Sequence, residues 1–121
     1  MAPWTITLTQ TGGFAGVSLR IQVNSYGLMT AQDERSARTV TQAVPADTMS
    51  ALNGLVAGTE LSQKERLPSA CADCFIYDLE LVTPNGTTRV RADDTTVGDS
   101  GAQALIQLLG KMRDQALRSA I

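Results

Sequence analysis

Trp4-Thr5-Ile6-Thr7-Leu8-Thr9-Gln10 leads into Thr11-Gly12-Gly13-Phe14-Ala15-Gly16, and that into Val17-Ser18-Leu19-Arg20-Ile21-Gln22-Val23-Asn24. Trp4, Ile6 and Leu8 alternate with threonines, and Val17, Leu19, Ile21 and Val23 alternate with polar residues. A period of two gives one buried and one exposed face, so two half-buried strands are expected at about 4–10 and 17–24, joined as a hairpin. Gly12, Gly13 and Gly16 open positive φ to the connection and leave Phe14 as its only large side chain. Phe14 either folds back onto the core or stands on the loop as an apolar anchor.

Outward from that hairpin, Ser25 to Ser36 is polar and aperiodic and reads as a loop. Thr39, Val40 and Thr41 suggest a short third strand within 37–43 that pairs with the second. Alternatively, Tyr26, Leu28 and Met29 extend the second strand into a long hairpin arm. Pro45 at a first helical position and Asp47 in the first turn open a helix carried by Met49, Leu52, Leu55 and Val56 and ended by Gly58. Thr59 to Ala70 reads as a surface connection.

A second hairpin, at about 74–82 and 87–93, is expected around Asn85-Gly86 as a type I′ turn. That turn sets Leu81 opposite Val90 and Leu79 opposite Ala92 on one face, with Glu80 opposite Arg91 and Val82 opposite Arg89 on the other. Ser100 and Gln103 form a capping box for a last helix over about 101–119. Leu105, Leu108, Leu109, Met112 and Ala116 make its apolar stripe, with Lys111, Arg113 and Arg118 off it. The order β-β-(β)-α-β-β-α predicts one α+β domain over residues 1–121, an antiparallel sheet of about four strands with two helices packed on it.

The composition narrows the function. A net charge of −2 and a pI near 4.9 leave no basic footprint for nucleic acid. No apolar run of about 18 residues suggests a membrane span. The start Met1-Ala2-Pro3-Trp4-Thr5 lacks the pattern of a signal peptide, so a cytoplasmic protein is expected. The chain has no histidine, which excludes Ser-His-Asp and Cys-His nucleophile systems and His-ligated metal within it.

The remaining candidates for chemistry have simpler readings. Cys71-Ala72-Asp73-Cys74 has the spacing of a redox dithiol or half a zinc site. It precedes a strand rather than a helix N-terminus and lacks two further ligands, so two reduced thiols are expected, with a disulfide after exposure to oxidant as the alternative. Asp93 and Asp94, adjacent on a strand, point to opposite faces and are expected to cap a turn or bind Arg89 or Arg91. Asp78 and Glu80 read as a charge-balanced solvated surface, and Trp4 as an edge of the core. Together these point to a protein that acts by binding, with no catalytic residues, cofactor or metal.

Several stretches resemble the emfourin-like protealysin inhibitors, small bacterial proteins that inhibit thermolysin-like zinc metallopeptidases. Gly12-Gly13-Phe14-Ala15-Gly16 after a first strand carries the resemblance most specifically. Pro45 with Leu52, Leu55 and Val56 follows in the same order. So do Asp73, Phe75, Tyr77 and Leu79, then Val90 with Asp93-Asp94, then Leu105-Leu108-Leu109. The chain departs from the family in the length of its Val17–Arg35 segment and in its two cysteines. The resemblance implies reversible inhibition of such a peptidase by occlusion of its cleft. Gly12, Gly13, Phe14, Ala15 and Gly16 are then the inhibitory loop and Asp73 a secondary contact. Two other classes stay open: a binding or assembly module that pairs through a sheet face or edge strand, and a thiol-dependent redox protein.

Overall fold

The structure, a computed structural model, describes residues 3–13, 16–58, 64–65, 74–94 and 102–119. In chain order the elements are β1 (Thr5–Gly12), β2 (Val17–Asn24), β3 (Leu28–Asp33), β4 (Arg38–Ala43), α1 (Ala46–Gly58), β5 (Lys64–Glu65), β6 (Phe75–Thr83), β7 (Gly86–Asp93) and α2 (Gln103–Ser119). The strands form one sheet in the order β4-β3-β2-β1-β6-β7-β5, antiparallel except where the two residues of β5 pair parallel with β7. The α+β class and the two helices are as expected. The sheet is wider than the expected four strands.

One extra strand comes from the stretch read as a loop, and the two-residue β5 from the stretch read as a surface connection. Residues 28–33 form β3, which pairs with β2, and β4 pairs with β3 rather than with β2. The turn before β3 is built by one side chain: Asn24 Oδ1 accepts the amides of Tyr26 and Leu28 at 3.0 and 3.2 Å. After β3, Asp33 Oδ1 accepts the amides of Arg35 and Ser36 at 3.1 and 3.4 Å. Such Asx turns reverse the chain without a Gly-Gly or Asn-Gly signal. Alternation in β3 is also weak, because Met29 and Ala31 are its buried members while Leu28 points outward, 47% exposed.

The second hairpin forms with its register moved by two residues. Leu79 faces Val90, Leu81 faces Thr88, Glu80 faces Arg89 and Thr83 faces Gly86, so Pro84-Asn85 is the turn. Proline explains the choice. Beside an Asn85-Gly86 turn, Pro84 would occupy a paired position without an amide to donate, whereas its fixed φ suits the first turn residue. Thr83 Oγ1 accepts the Asn85 amide at 3.2 Å and donates to the Gly86 carbonyl at 3.3 Å. A shift of two preserves which face each residue occupies, so the apolar and charged faces are as expected while every pair differs.

Apolar rows cross the inner face. Met29, Val23, Ile6 and Leu81 make one row, and Ala31, Ile21, Leu8, Leu79 and Val90 the next. α2 packs against β1 to β4 and against α1. Its Leu105, Ile106, Leu109, Met112, Ala116 and Leu117 are buried, and Leu52 of α1 is fully buried beside them. Trp4 sits at the core's edge, 5% exposed, and its Nε1 donates to Asn53 Oδ1 at 3.2 Å. The first α1 bond runs from the Met49 amide to the Pro45 carbonyl, so Pro45 caps the helix from just outside. α2 begins at Gln103, and Ser100, the expected capping residue, lies outside the described residues.

The outer face is polar. Thr7, Gln22, Thr30 and Thr41 lie in one row, and Glu80 and Arg89 continue it on the other side of β1. Arg89–Glu80 at 2.9 Å and Arg91–Asp78 at 3.4 Å are half-exposed ion pairs, each worth about 0–1 kcal/mol. Leu109 is fully buried under this sheet, so Leu109→Ala is expected to destabilise the fold by about 2–5 kcal/mol, read as a lower midpoint in urea unfolding.

Candidate functional site

The connection between β1 and β2 is anchored at its base. Gly12 and Gly13 have φ of 87° and 74°, and Gly16 has φ of 63°. The Gly16 amide donates to the Gly13 carbonyl at 3.2 Å, which closes the connection across Phe14 and Ala15, both outside the described residues. The Gly13 amide donates to the Cys74 carbonyl at 3.2 Å, one residue before β6. A Cβ on Gly12 would stand 3.0 Å from that carbonyl, and one on Gly13 would stand 2.5 Å from the Phe75 ring. Both positions therefore require glycine for two reasons, the sign of φ and the closeness of the neighbouring strand.

The neighbouring strand is held in turn by one carboxylate. Asp94 Oδ2 accepts the Phe75 amide at 2.9 Å, and its Oδ1 accepts the Tyr77 hydroxyl at 2.8 Å. The Phe75 and Tyr77 rings stand 6.4 Å apart, tilted by 53°. Partial burial, then the hydrogen bond to Asp94 and its charge, push the Tyr77 phenol up to about 12, while the Arg113 charge opposes them. Asp94 was expected to cap a turn that lies outside the described residues, and the bonds it makes among them go to Phe75 and Tyr77 rather than to Arg89 or Arg91. It serves the strand across from it, and its neighbour Asp93 is fully buried.

Cys74 is disulfide-bonded, which corrects the expectation of two reduced thiols. The chain contains one other cysteine, Cys71, which with Asp73 lies outside the described residues. The geometry therefore brings together two segments some sixty positions apart in the sequence: the glycine connection, and the strand start that follows Asp73. Among the described residues no group of His, Cys, Asp or Glu side chains is placed to hold a metal ion.

Sequence reading missed two residues at this end of the sheet. Arg113, assigned off the apolar stripe, is 3% exposed, with Nη1 donating to Gln10 Oε1 at 2.9 Å. Its Nε and Nη2 donate to Asp114 Oδ1 at 3.0 and 2.9 Å. Asp94 was noticed for its doublet, but its partners depend on the β6–β7 register. A fork of charge-assisted bonds explains how a guanidinium can be buried there. No family model matches the chain, and a search of curated proteins finds no match.

Two outcomes are expected. Gly13→Ala should destabilise the protein by about 1–3 kcal/mol, and more than Gly16→Ala, whose Cβ meets open space at a similar φ. Urea unfolding of both variants measures the difference. The second concerns Tyr77: its folded pKa lies above the unfolded value near 10, so its contribution to stability is present below pH 10 and is lost as the pH rises towards 12. A tyrosinate absorbance titration of the Tyr26→Phe variant, in which Tyr77 is the only tyrosine, should show a midpoint near 12 that falls when Asp94 is changed to Ala.

Proposed function

We propose that this chain is a reversible inhibitor of a thermolysin-like zinc metallopeptidase. In this reading it acts by binding, without catalysis or a cofactor, and the Gly12–Gly16 connection enters the enzyme's cleft. The observation that carries the reading is the anchored glycine base: two positive-φ glycines pressed against Cys74 and Phe75, with Asp94 holding the strand behind them. A connection held in shape before binding loses little conformational freedom on entering a cleft, and glycine lets backbone approach backbone closely. Thermolysin-like enzymes accept bulky apolar side chains beside the scissile bond, and Phe14 is the side chain this connection offers. Asp73, adjacent to Cys74, is the proposed secondary contact.

The lack of histidine and the net charge of −2 support the same reading by disfavouring common catalysis and nucleic-acid binding. No described helix is long and apolar enough to cross a membrane. The expected cytoplasmic setting is one in which thiols are kept reduced, whereas the bond at Cys74 suits an oxidising one. A second reading, an assembly module that pairs through a strand edge, rests on β4. Among the described residues this strand is paired only to β3, and it is exposed along most of its length. It predicts a homo-oligomer or stable complex by sedimentation and no effect on any peptidase.

The test is a titration against thermolysin and a protealysin-like enzyme with a fluorogenic peptide, with and without added zinc. Inhibition near stoichiometry that zinc does not reverse is expected, and no inhibition at micromolar protein would remove the reading. Phe14→Asp should weaken inhibition by about 2 kcal/mol or more, roughly thirtyfold, with an unchanged circular dichroism spectrum. Undiminished inhibition by that variant would take Phe14 out of the mechanism.

A further inference from the structure

On the helix side of the sheet, beside Tyr77, a groove of about 400 Å³ separates β1 and β6 from α2. Lys111, Arg113 and Arg118 line it against a single lining carboxylate, Asp114, on a chain whose net charge is −2. This concentration of positive charge is local, and it borders a shallow concave surface.

Arg113 forms the charged wall. It is 3% exposed, yet its bonds to Gln10 and Asp114 use three of its N–H groups, one each on Nε, Nη1 and Nη2. A guanidinium carries five, so one N–H on each Nη has no acceptor among the described residues. Leaving donors of a buried cation unmade is costly, and a planar two-oxygen anion meets a pair of Nη donors in the bidentate geometry that guanidinium favours. At the rim, the Lys111 ammonium has no partner among the described residues, and Arg118 uses only its Nε, on the Asp114 carbonyl at 3.3 Å.

The floor of the groove is Gly110. Glycine is disfavoured inside a helix, and here a Cβ would stand 3.9 Å from Arg113 Nη2, at ordinary contact distance. The fold would therefore admit a side chain at this position, and that side chain would occupy the groove. Its absence leaves the groove open beside Arg113 Nη2.

We propose that this groove binds a di- or tricarboxylate ligand. One carboxylate pairs with the two open Nη donors of Arg113, and Lys111 and Arg118 neutralise the second charge. The carboxylates come either from a free small acid or from adjacent acidic side chains of a partner protein; the recognising chemistry is the same. The assignment is independent of the inhibitor reading, because it is tested without any peptidase.

The experiment is a nuclear magnetic resonance titration of the whole chain, following the Gly110 amide, the Arg113 Nε–H and the Gln10 and Gln107 side-chain amides. The probes are citrate in one arm and a short glutamate-rich peptide in the other. Saturable shifts confined to these groups are expected, weakening as salt is raised. The arm that saturates at lower concentration identifies the source. Paired Lys111→Glu and Arg118→Glu changes should weaken binding by about tenfold or more. Gly110→Leu should abolish binding while the protein stays folded by circular dichroism, and Gly110→Ala should retain it within about twofold, as a single methyl at contact distance leaves the donors open. Arg89→Glu, on the outer face, should leave binding unchanged. Failure of both probes to give saturable shifts overturns the proposal. So does unaltered binding by Gly110→Leu, or loss in Arg89→Glu as large as in the paired variant.

Discussion

Leu105, Leu109, Met112 and Ala116 reach the inner face of the sheet from a single helix, and the side chains they meet come from strands far apart in sequence. Fully burying one such aliphatic side chain stabilises by roughly 1.5–3 kcal/mol, so this one layer contributes more than any polar contact in the molecule. Because α2 spans β1 to β4, it holds strands that would otherwise be joined only by their hydrogen bonds. α1 adds Leu52 and closes the layer beside Trp4. With the apolar rows covered from one side, the other face of the sheet is free to be threonine, glutamine and ion pairs.

Two arginines tie the polar parts of that helix to the sheet. Arg38 of β4 donates through Nη2 to the Leu117 carbonyl at 2.6 Å, which places a positive charge where the helix leaves its carbonyls without partners. Arg113 bonds to Gln10 of β1. Both contacts join residues more than seventy positions apart, and both depend on the apolar layer having set the helix in place first. At the glycine end of the sheet the same dependence runs through backbone. Gly13 donates to Cys74, and Phe75 and Tyr77 share Asp94, so the base of a short connection is held by a strand from the other half of the chain.

The proposed loop surface and the proposed groove lie at the same end of the sheet, joined by Tyr77, which bonds to Asp94 and also lines the groove. They differ in chemistry. The loop surface combines glycine backbone with aromatic rings, whereas the groove presents cations with open donors. A partner that covered both would meet apolar and positively charged ground side by side, which is how interfaces commonly combine an anchoring side chain with polar contacts that fix orientation.

The alternating runs on either side of Gly12–Gly16, the apolar stripe of α2 and the α+β class were legible in the sequence, because periods of two and near four depend only on local geometry. The need for glycine in the connection was legible in part: positive φ could be anticipated, but the ring of Phe75 against Gly13 could not. β3 was hidden because its turns are made by the side chains of Asn24 and Asp33, and its buried members, Met29 and Ala31, contrast little with their neighbours. The β6–β7 register followed the missing amide of Pro84 rather than the stronger-looking Asn85-Gly86 signal. Local pattern determined which residues turn inward. Only the tertiary structure decided which distant side chains meet, and so which polar groups are buried, because a hydrogen bond such as Arg113 to Gln10 exists only after the apolar layer has brought its two ends together.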